Sequence, residues 1–131
     1  MYLVKESVAS VDDYTRLRDI AGLSPRSREA AEKGLPRSLY GVTIELNSET
    51  VAMGRVIGDG ALSFEIADIA VDPVHQRRGL GTLIMQHIMK YLEAEAPSGA
   101  YISLMANLPK LYEKFGFSLS RPKSEGMYKI I

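Results

Sequence analysis

The feature that most constrains this chain is an apolar strand that runs into a glycine-rich, basic turn and out into a long amphipathic helix. Ile66, Ala67, Ile69, Ala70 and Val71 form a nearly continuous apolar run, as expected of a central strand covered on both faces. Asp72-Pro73 ends it, and Gln76-Arg77-Arg78-Gly79-Leu80-Gly81-Thr82 follows. From Gly79 to about Ala96, Leu80, Ile84, Ile88, Tyr91 and Leu92 recur at helical spacing, with Leu83 beside them. The paired glycines let the backbone approach a ligand closely, and free N–H groups with the helix dipole favour an anion there. Arg77 and Arg78 add positive charge, a combination that suits a pyrophosphate. Read more plainly, the same residues make a strand-to-helix turn with two surface arginines, because a lone Gly-x-Gly is a weak signal. No Gly-Lys-Ser/Thr ending marks a nucleotide triphosphatase loop. Nor is there a three-glycine fingerprint of a dinucleotide fold, with an acidic residue ~20 positions on.

The rest of the chain reads as a mixed α+β layer with helices on both faces. Tyr2–Lys5 is a short opening strand. Ser10-Val-Asp-Asp13 has the form of a capping box, starting a helix with Val11, Tyr14, Leu17 and Ala21 on one face. Ser24-Pro25 reads as a second helix start and Gly34 as its stop. Tyr40, Val42, Ile44 and Leu46 alternate with smaller or polar residues, the pattern of a half-buried strand. After the turn Asn47-Ser-Glu49, a second strand spans residues 50–57. Gly58-Asp-Gly60 returns it into a third, residues 61–71, completing an antiparallel meander. Ala100–Ala106 is another apolar strand, reached by a helical crossover and so parallel to the third. Residues 109–115 form a short helix capped by Gly116. The tail holds one or two strands, residues 117–120 and 127–131.

Composition excludes several classes. The 131 residues make one domain, residues 1–131, with 46% hydrophobic and 24% charged content. Sixteen basic and sixteen acidic side chains cancel, which speaks against a nucleic-acid binder. Without cysteine there is no disulfide or thiolate chemistry, and His75 and His87 lack helical metal-pair spacing, so no metal is expected. No apolar run approaches the ~20 residues that span a bilayer. The N-terminus lacks signal-peptide character, which makes the cytoplasm the expected location, with no membrane partner.

Gln76-Arg-Arg-Gly79-Leu-Gly81 matches the Gln/Arg-x-x-Gly-x-Gly/Ala signature of the GNAT superfamily of acyl-CoA N-acyltransferases, and Ile69-Ala-Val-Asp-Pro73 resembles that family's fourth strand and its exit. Leu111-Tyr-Glu-Lys-Phe-Gly-Phe117 resembles a second family segment downstream. The resemblance implies acetyl-CoA as co-substrate, with no metal. It assigns the pyrophosphate to Arg77, Arg78, Gly79, Leu80, Gly81 and Thr82, following Gln76, and the pantetheine amides to the backbone of Ile69 and Val71. It also implies that the strands over residues 64–71 and 100–106 splay apart to admit the arm.

By the same resemblance, a neutral amine attacks the thioester directly within a ternary complex, and positioning and N–H donors supply most of the rate. The N–H of Ile69 or Ala70 is the expected oxyanion donor. Tyr112 is the expected acid for the leaving thiolate; as a plain reading, it is a core aromatic among Leu111, Phe115 and Phe117. Asp68 is favoured for a water-mediated base or substrate-binding role, with Glu65 as the alternative, because carboxylates in an apolar strand need a partner or a site. Strict alternation puts these two on opposite faces, and a bulge would change that. Many relatives place an asparagine against the arm further upstream of the tyrosine. Here Asn107 stands five residues before Tyr112, open to that role or to helix capping.

Arg26, Arg28 and Arg37 make the acceptor wall, residues 23–39, basic. That permits an acceptor bearing a carboxylate or phosphate, or simply a solvated helix face. The expected acceptor is the primary amine of a small molecule. The alternatives are a protein N-terminus or lysine, and a non-catalytic CoA-binding module. The apolar ending Met127-Tyr-Lys-Ile-Ile131 permits a homodimer.

Overall fold

The computed structural model describes all of residues 1–131. Its framework is one five-stranded sheet in sequential order. The strands are β1 (Leu3–Lys5), β2 (Tyr40–Leu46), β3 (Glu49–Gly58), β4 (Ser63–Val71) and β5 (Tyr101–Ser103). Neighbours are antiparallel except β4 and β5, which are parallel as the helical crossover requires. The expected meander is β2–β3–β4. Asn47 and Ser48, both with positive φ, turn the first hairpin. At the second, the Asp59 carboxylate accepts the N–H groups of Ala61, Leu62 and Ser63, which delays β4 from the expected residue 61 to Ser63.

Helices cover both faces. On one lies α3 (Leu80–Glu95), burying Leu80, Ile84, Met85, Ile88 and Leu92 against Val42, Ile44, Val56, Phe64 and Ile66. Gly54 allows this close approach, since a Cβ there would stand 2.7 Å from Ile84 Cγ2. Of the expected stripe, Tyr91 is half-buried and stacks on Tyr40 instead. On the other face lie α1 (Val11–Ile20) and α2 (Arg28–Gly34), with a smaller core of Tyr14, Leu17, Ala31, Leu35, Met53 and Ala70. No helix is long and apolar enough to cross a membrane.

Several boundaries differ from the sequence reading. Ser10 does cap α1, accepting the Asp13 N–H, but the Asp13 carboxylate pairs with Arg16 rather than closing a reciprocal box. The second helix starts at Arg28 with Ser27 as its cap, not at Ser24-Pro25. The Ser24 carbonyl and hydroxyl are taken by Arg18, and the hydroxyl also by Arg26. The fifth strand is three residues, not the expected 100–106, because its pairing with β4 ends at Glu65–Ser103. The short helix α4 (Pro109–Glu113) is likewise briefer than expected, with Gly116 left-handed behind it. The tail forms no strand at 117–120 or 127–131. Hydropathy alone suggested them, and a strand needs a partner edge. Met127, Tyr128, Ile130 and Ile131 are each more than two-thirds exposed.

Candidate active site

Two structural decisions create the site, and both lie on β4. The first is the parting of β4 from β5 after Glu65. Beyond it, residues 66–71 of β4 have no β5 partner, and the gap opens into a cleft of about 620 Å³. The second is a bulge. Met53 pairs with Ala70 and Arg55 with Ala67, so β4 holds an extra residue there, and Asp68 takes φ 58°. Phe64 and Ile66 face α3 before the bulge, whereas Ile69 and Val71 face it afterwards. The parity change puts Glu65 and Asp68 on one side of the strand, and both line the cleft.

At the C-terminal end of β4 the chain makes the glycine-rich turn that the sequence reading offered as an anion cradle. Asp72 accepts the Val74 N–H, and the Gln76 amide ties back to the Val71 carbonyl at 3.1 Å. Arg77 and Gly79 both adopt left-handed φ, 66° and 79°. Such turns gather successive N–H groups into a concavity. Gly79 is the N-cap of α3 and offers no side-chain cap, so the first-turn N–H groups of this long helix face the cleft unpaired by any side chain. Gln76, Arg77 and Gly81 line the cleft; Arg78 points away, donating to Tyr2 Oη, which also bonds His75 Nδ1. The two arginines therefore differ in orientation, which sequence could not show.

Tyr112 stands on α4 across the opening, half-buried and lining the cleft with Leu111, Asn107, Leu108 and Met105. Burial pushes its phenol up from the usual tyrosine range, with no other cause. It therefore keeps its proton at neutral pH, as a proton donor must. Asn107 is exposed and caps nothing; Leu108 is the N-cap of α4 and no side-chain bond closes it.

The two strand carboxylates sit in very different settings. Glu65 is exposed at the cleft, with no ion-pair partner. The Asp68 side chain is 8% exposed and gripped by two guanidiniums. Its Oδ1 accepts from Arg18 Nη1 at 2.6 Å and from Tyr14 Oη at 3.3 Å, and its Oδ2 accepts from Arg55 Nε. Sequence reasoning put Asp68 at the cleft but missed Arg18 and Arg55, because nothing in a helical stripe or a strand alternation pairs residues 50 and 13 positions away. Of the three arginines that made the acceptor wall basic, only Arg26 lines the cleft; Arg28 turns to Asp12 and Glu32 on the outer surface.

A family model described as an acetyltransferase (GNAT) domain matches residues 38–119, from just before β2 through the segment after α4. The chain belongs to the GNAT acetyltransferase family. Over its full length it superposes on a protein of unknown function from methicillin-resistant Staphylococcus aureus, described as a probable acetyltransferase. That pair shares 47% identity with a TM-score of 0.95, and the match covers 100% of each chain. A GNAT family protein from Streptococcus pneumoniae shares the fold at 24% identity and TM-score 0.80, covering 100% of this chain and 98% of that one. Among curated proteins, the ribosomal protein bS18-alanine N-acetyltransferase of Salmonella typhimurium is 36% identical over 70 residues. That match spans 51% of this chain and 45% of the relative's length. The GNAT fold accounts for the mixed sheet and the splay.

Proposed function

We propose that residues 1–131 act as an acetyltransferase domain that moves an acetyl group from acetyl-CoA to a primary amine of a small molecule. The observation that carries this reading is the juxtaposition on one cleft of an uncapped α3 N-terminus, a β4 edge left unpaired by the splay, and Tyr112 opposite. Those groups fit the co-substrate. The N–H groups of Arg77 to Thr82, with the Arg77 side chain, would hold the pyrophosphate, and the free edge at Ile69, Ala70 and Val71 would pair with the pantetheine amides. Acetyl-CoA when bound would supply the acyl group already activated as a thioester.

The protein's part is orientation and proton handling. The N–H of Ile69 or Ala70 would donate to the acyl oxygen as it gains charge. Glu65, solvated and unpaired, would receive the ammonium of the acceptor and pass its surplus proton to water. Tyr112 would hand its phenolic proton to the departing sulfur and be restored by the second proton that the amine nitrogen sheds as the amide forms, leaving one amide bond formed and one thioester bond broken. Asn107, which lines the cleft, would touch the arm.

A second reading is a peptide acceptor, which an open cleft suits better than an enclosed one. Met105 and Leu108 on the cleft rim are 66% and 71% exposed, and the Salmonella relative acts on a protein alanine. Turnover of acetyl-CoA over a panel of small amines and N-terminal alanine peptides separates the readings. Preference for small amines supports the first, preference for peptides the second, and binding of acetyl-CoA with no turnover a regulatory module. Tyr112→Phe should bind acetyl-CoA normally and lose about 10²–10⁴ in kcat; full turnover across pH would remove Tyr112 as the acid. The exposed apolar tail also supports a homodimer, which sedimentation would reveal as twice the monomer mass.

A further inference from the structure

We propose that Arg18, Asp68 and Arg55 form a positioning unit that holds the β4 bulge, and through it the β4 backbone left without a β5 partner, in the geometry that transfer needs. This inference rests on the acetyltransferase reading above.

The bulge is a costly conformation. A residue other than glycine held in the left-handed region costs roughly 1–3 kcal/mol and persists only where its surroundings over-determine it. Asp68 is such a residue, at φ 58° in the middle of a strand. What over-determines it is its own carboxylate, fixed from two sides by Arg18 on α1 and Arg55 on β3. Each arginine is anchored in turn. Arg18 donates from Nε and Nη2 to the Ser24 carbonyl, at 2.9 and 2.6 Å, and from Nη2 to the Ser24 hydroxyl. Arg55 Nη1 donates to Ser38 Oγ at 3.1 Å, and that hydroxyl donates to the Leu35 carbonyl. One chain of polar contacts thus runs from the loop after α1, through the bulge, to the segment after α2.

The arrangement is more than packing requires. One carboxylate against two guanidiniums leaves excess positive charge with side chains 7%, 8% and 17% exposed. Apolar residues of similar volume would stabilise that face as well or better. What the cluster does that apolar residues would not is to fix the strand's register. Were the extra residue ironed out, every side chain beyond it would exchange faces. Ile69 and Val71 would leave the α3 core, and the backbone now free toward the splay would be drawn into the β3 ladder. Asp68 therefore acts through the main chain, and the open carboxylate at the cleft is Glu65.

The test combines a measurement free of turnover with one of turnover. Arg55→Lys and Arg18→Lys keep the charge and the Asp68 carboxylate but lose the forked geometry. Each should speed amide hydrogen exchange at Ala67 and Ala70, the residues that flank the bulge in the β3 ladder, while α3 amides stay protected, and should lower kcat/KM about 10- to 100-fold. Asp68→Asn should do the same and leave the acidic limb of the kcat/KM pH profile where it is in the wild type. The proposal is overturned if Asp68→Asn removes that limb while Ala67 and Ala70 keep wild-type protection, because Asp68 would then be the base. It is equally overturned if both lysine variants match the wild type in exchange and in kcat/KM. If Asp68→Asn does not fold, the lysine variants decide alone. If the wild type turns over no amine yet the exchange changes appear, the brace on β4 stands and the activity reading falls.

Discussion

The two faces of the sheet are built on opposite principles. The α3 face is a dry apolar core, with Ile84, Met85 and Ile88 fully buried against Val42, Ile44 and Val56. The α1 face has a small core interrupted by Arg18, Asp68 and Arg55. The first face carries the helix whose free N-terminus makes the anion cradle, so its work is to keep that helix fixed. The second borders the cleft beside Arg18 and Arg26, at the end proposed for the acceptor, where charge and backbone geometry would have to be exact. A face that only positions an element can be made of hydrocarbon, whereas one that shapes a reacting strand uses directional bonds.

Substitutions on the two faces should separate these roles. Asp68→Ala leaves Arg18 and Arg55 without their counter-charge and should cost about 3–5 kcal/mol of stability in chemical denaturation. A loss below 1 kcal/mol would mean that the cluster is not holding its face together. Ile88→Ala on the opposite face removes buried hydrocarbon and should cost about 2–5 kcal/mol. The variant, once folded, should keep the wild-type KM for acetyl-CoA; a large KM change would show that the dry face does more than support. At the edge of that face, Gly79→Ala forces a side chain into φ 79° and should cost roughly 1–2 kcal/mol. Its acetyl-CoA affinity, read by calorimetry, should fall along with stability.

The smallest effect is expected from alkaline titration. Burial raises the phenols of Tyr14, Tyr40, Tyr91 and Tyr112, with Asp68 also raising Tyr14 and a Glu6 hydrogen bond also raising Tyr40. A folded pKa above the unfolded value means that the native state holds its proton longer. The stabilisation is therefore complete below about pH 10 and is lost as pH rises through the folded values. Melting temperature should be flat from neutral pH to about pH 9.5 and then decline; a decline beginning near neutrality would point to other groups.

The sequence made one face far more legible than the other. The α3 stripe, the glycine turn and the meander are local patterns, set by periodicity and backbone conformation, and apart from Tyr91 and the start of β4 they appear where the spacing puts them. Met85 escaped because an apolar residue beside a stripe can point either way until the sheet's curvature is known. The Arg18–Asp68–Arg55 cluster was illegible because it joins α1, β4 and β3 through side chains that each look like surface charge on their own element. The bulge that puts Glu65 and Asp68 on one side could be named but not located, since an extra residue in a strand leaves no mark on an alternation already blurred by burial on both faces. The tail erred the other way. Its apolar alternation is strand-like, but within one chain no edge receives it.

Both faces meet at the β4–β5 splay, where acetyl-CoA is proposed to enter with its pyrophosphate on the turn before α3. Amide hydrogen exchange with and without acetyl-CoA tests this directly. Protection should appear together at residues 69–71 and 77–82, with the α1 amides unchanged. Binding that left those two segments unprotected, or no binding at all, would contradict it.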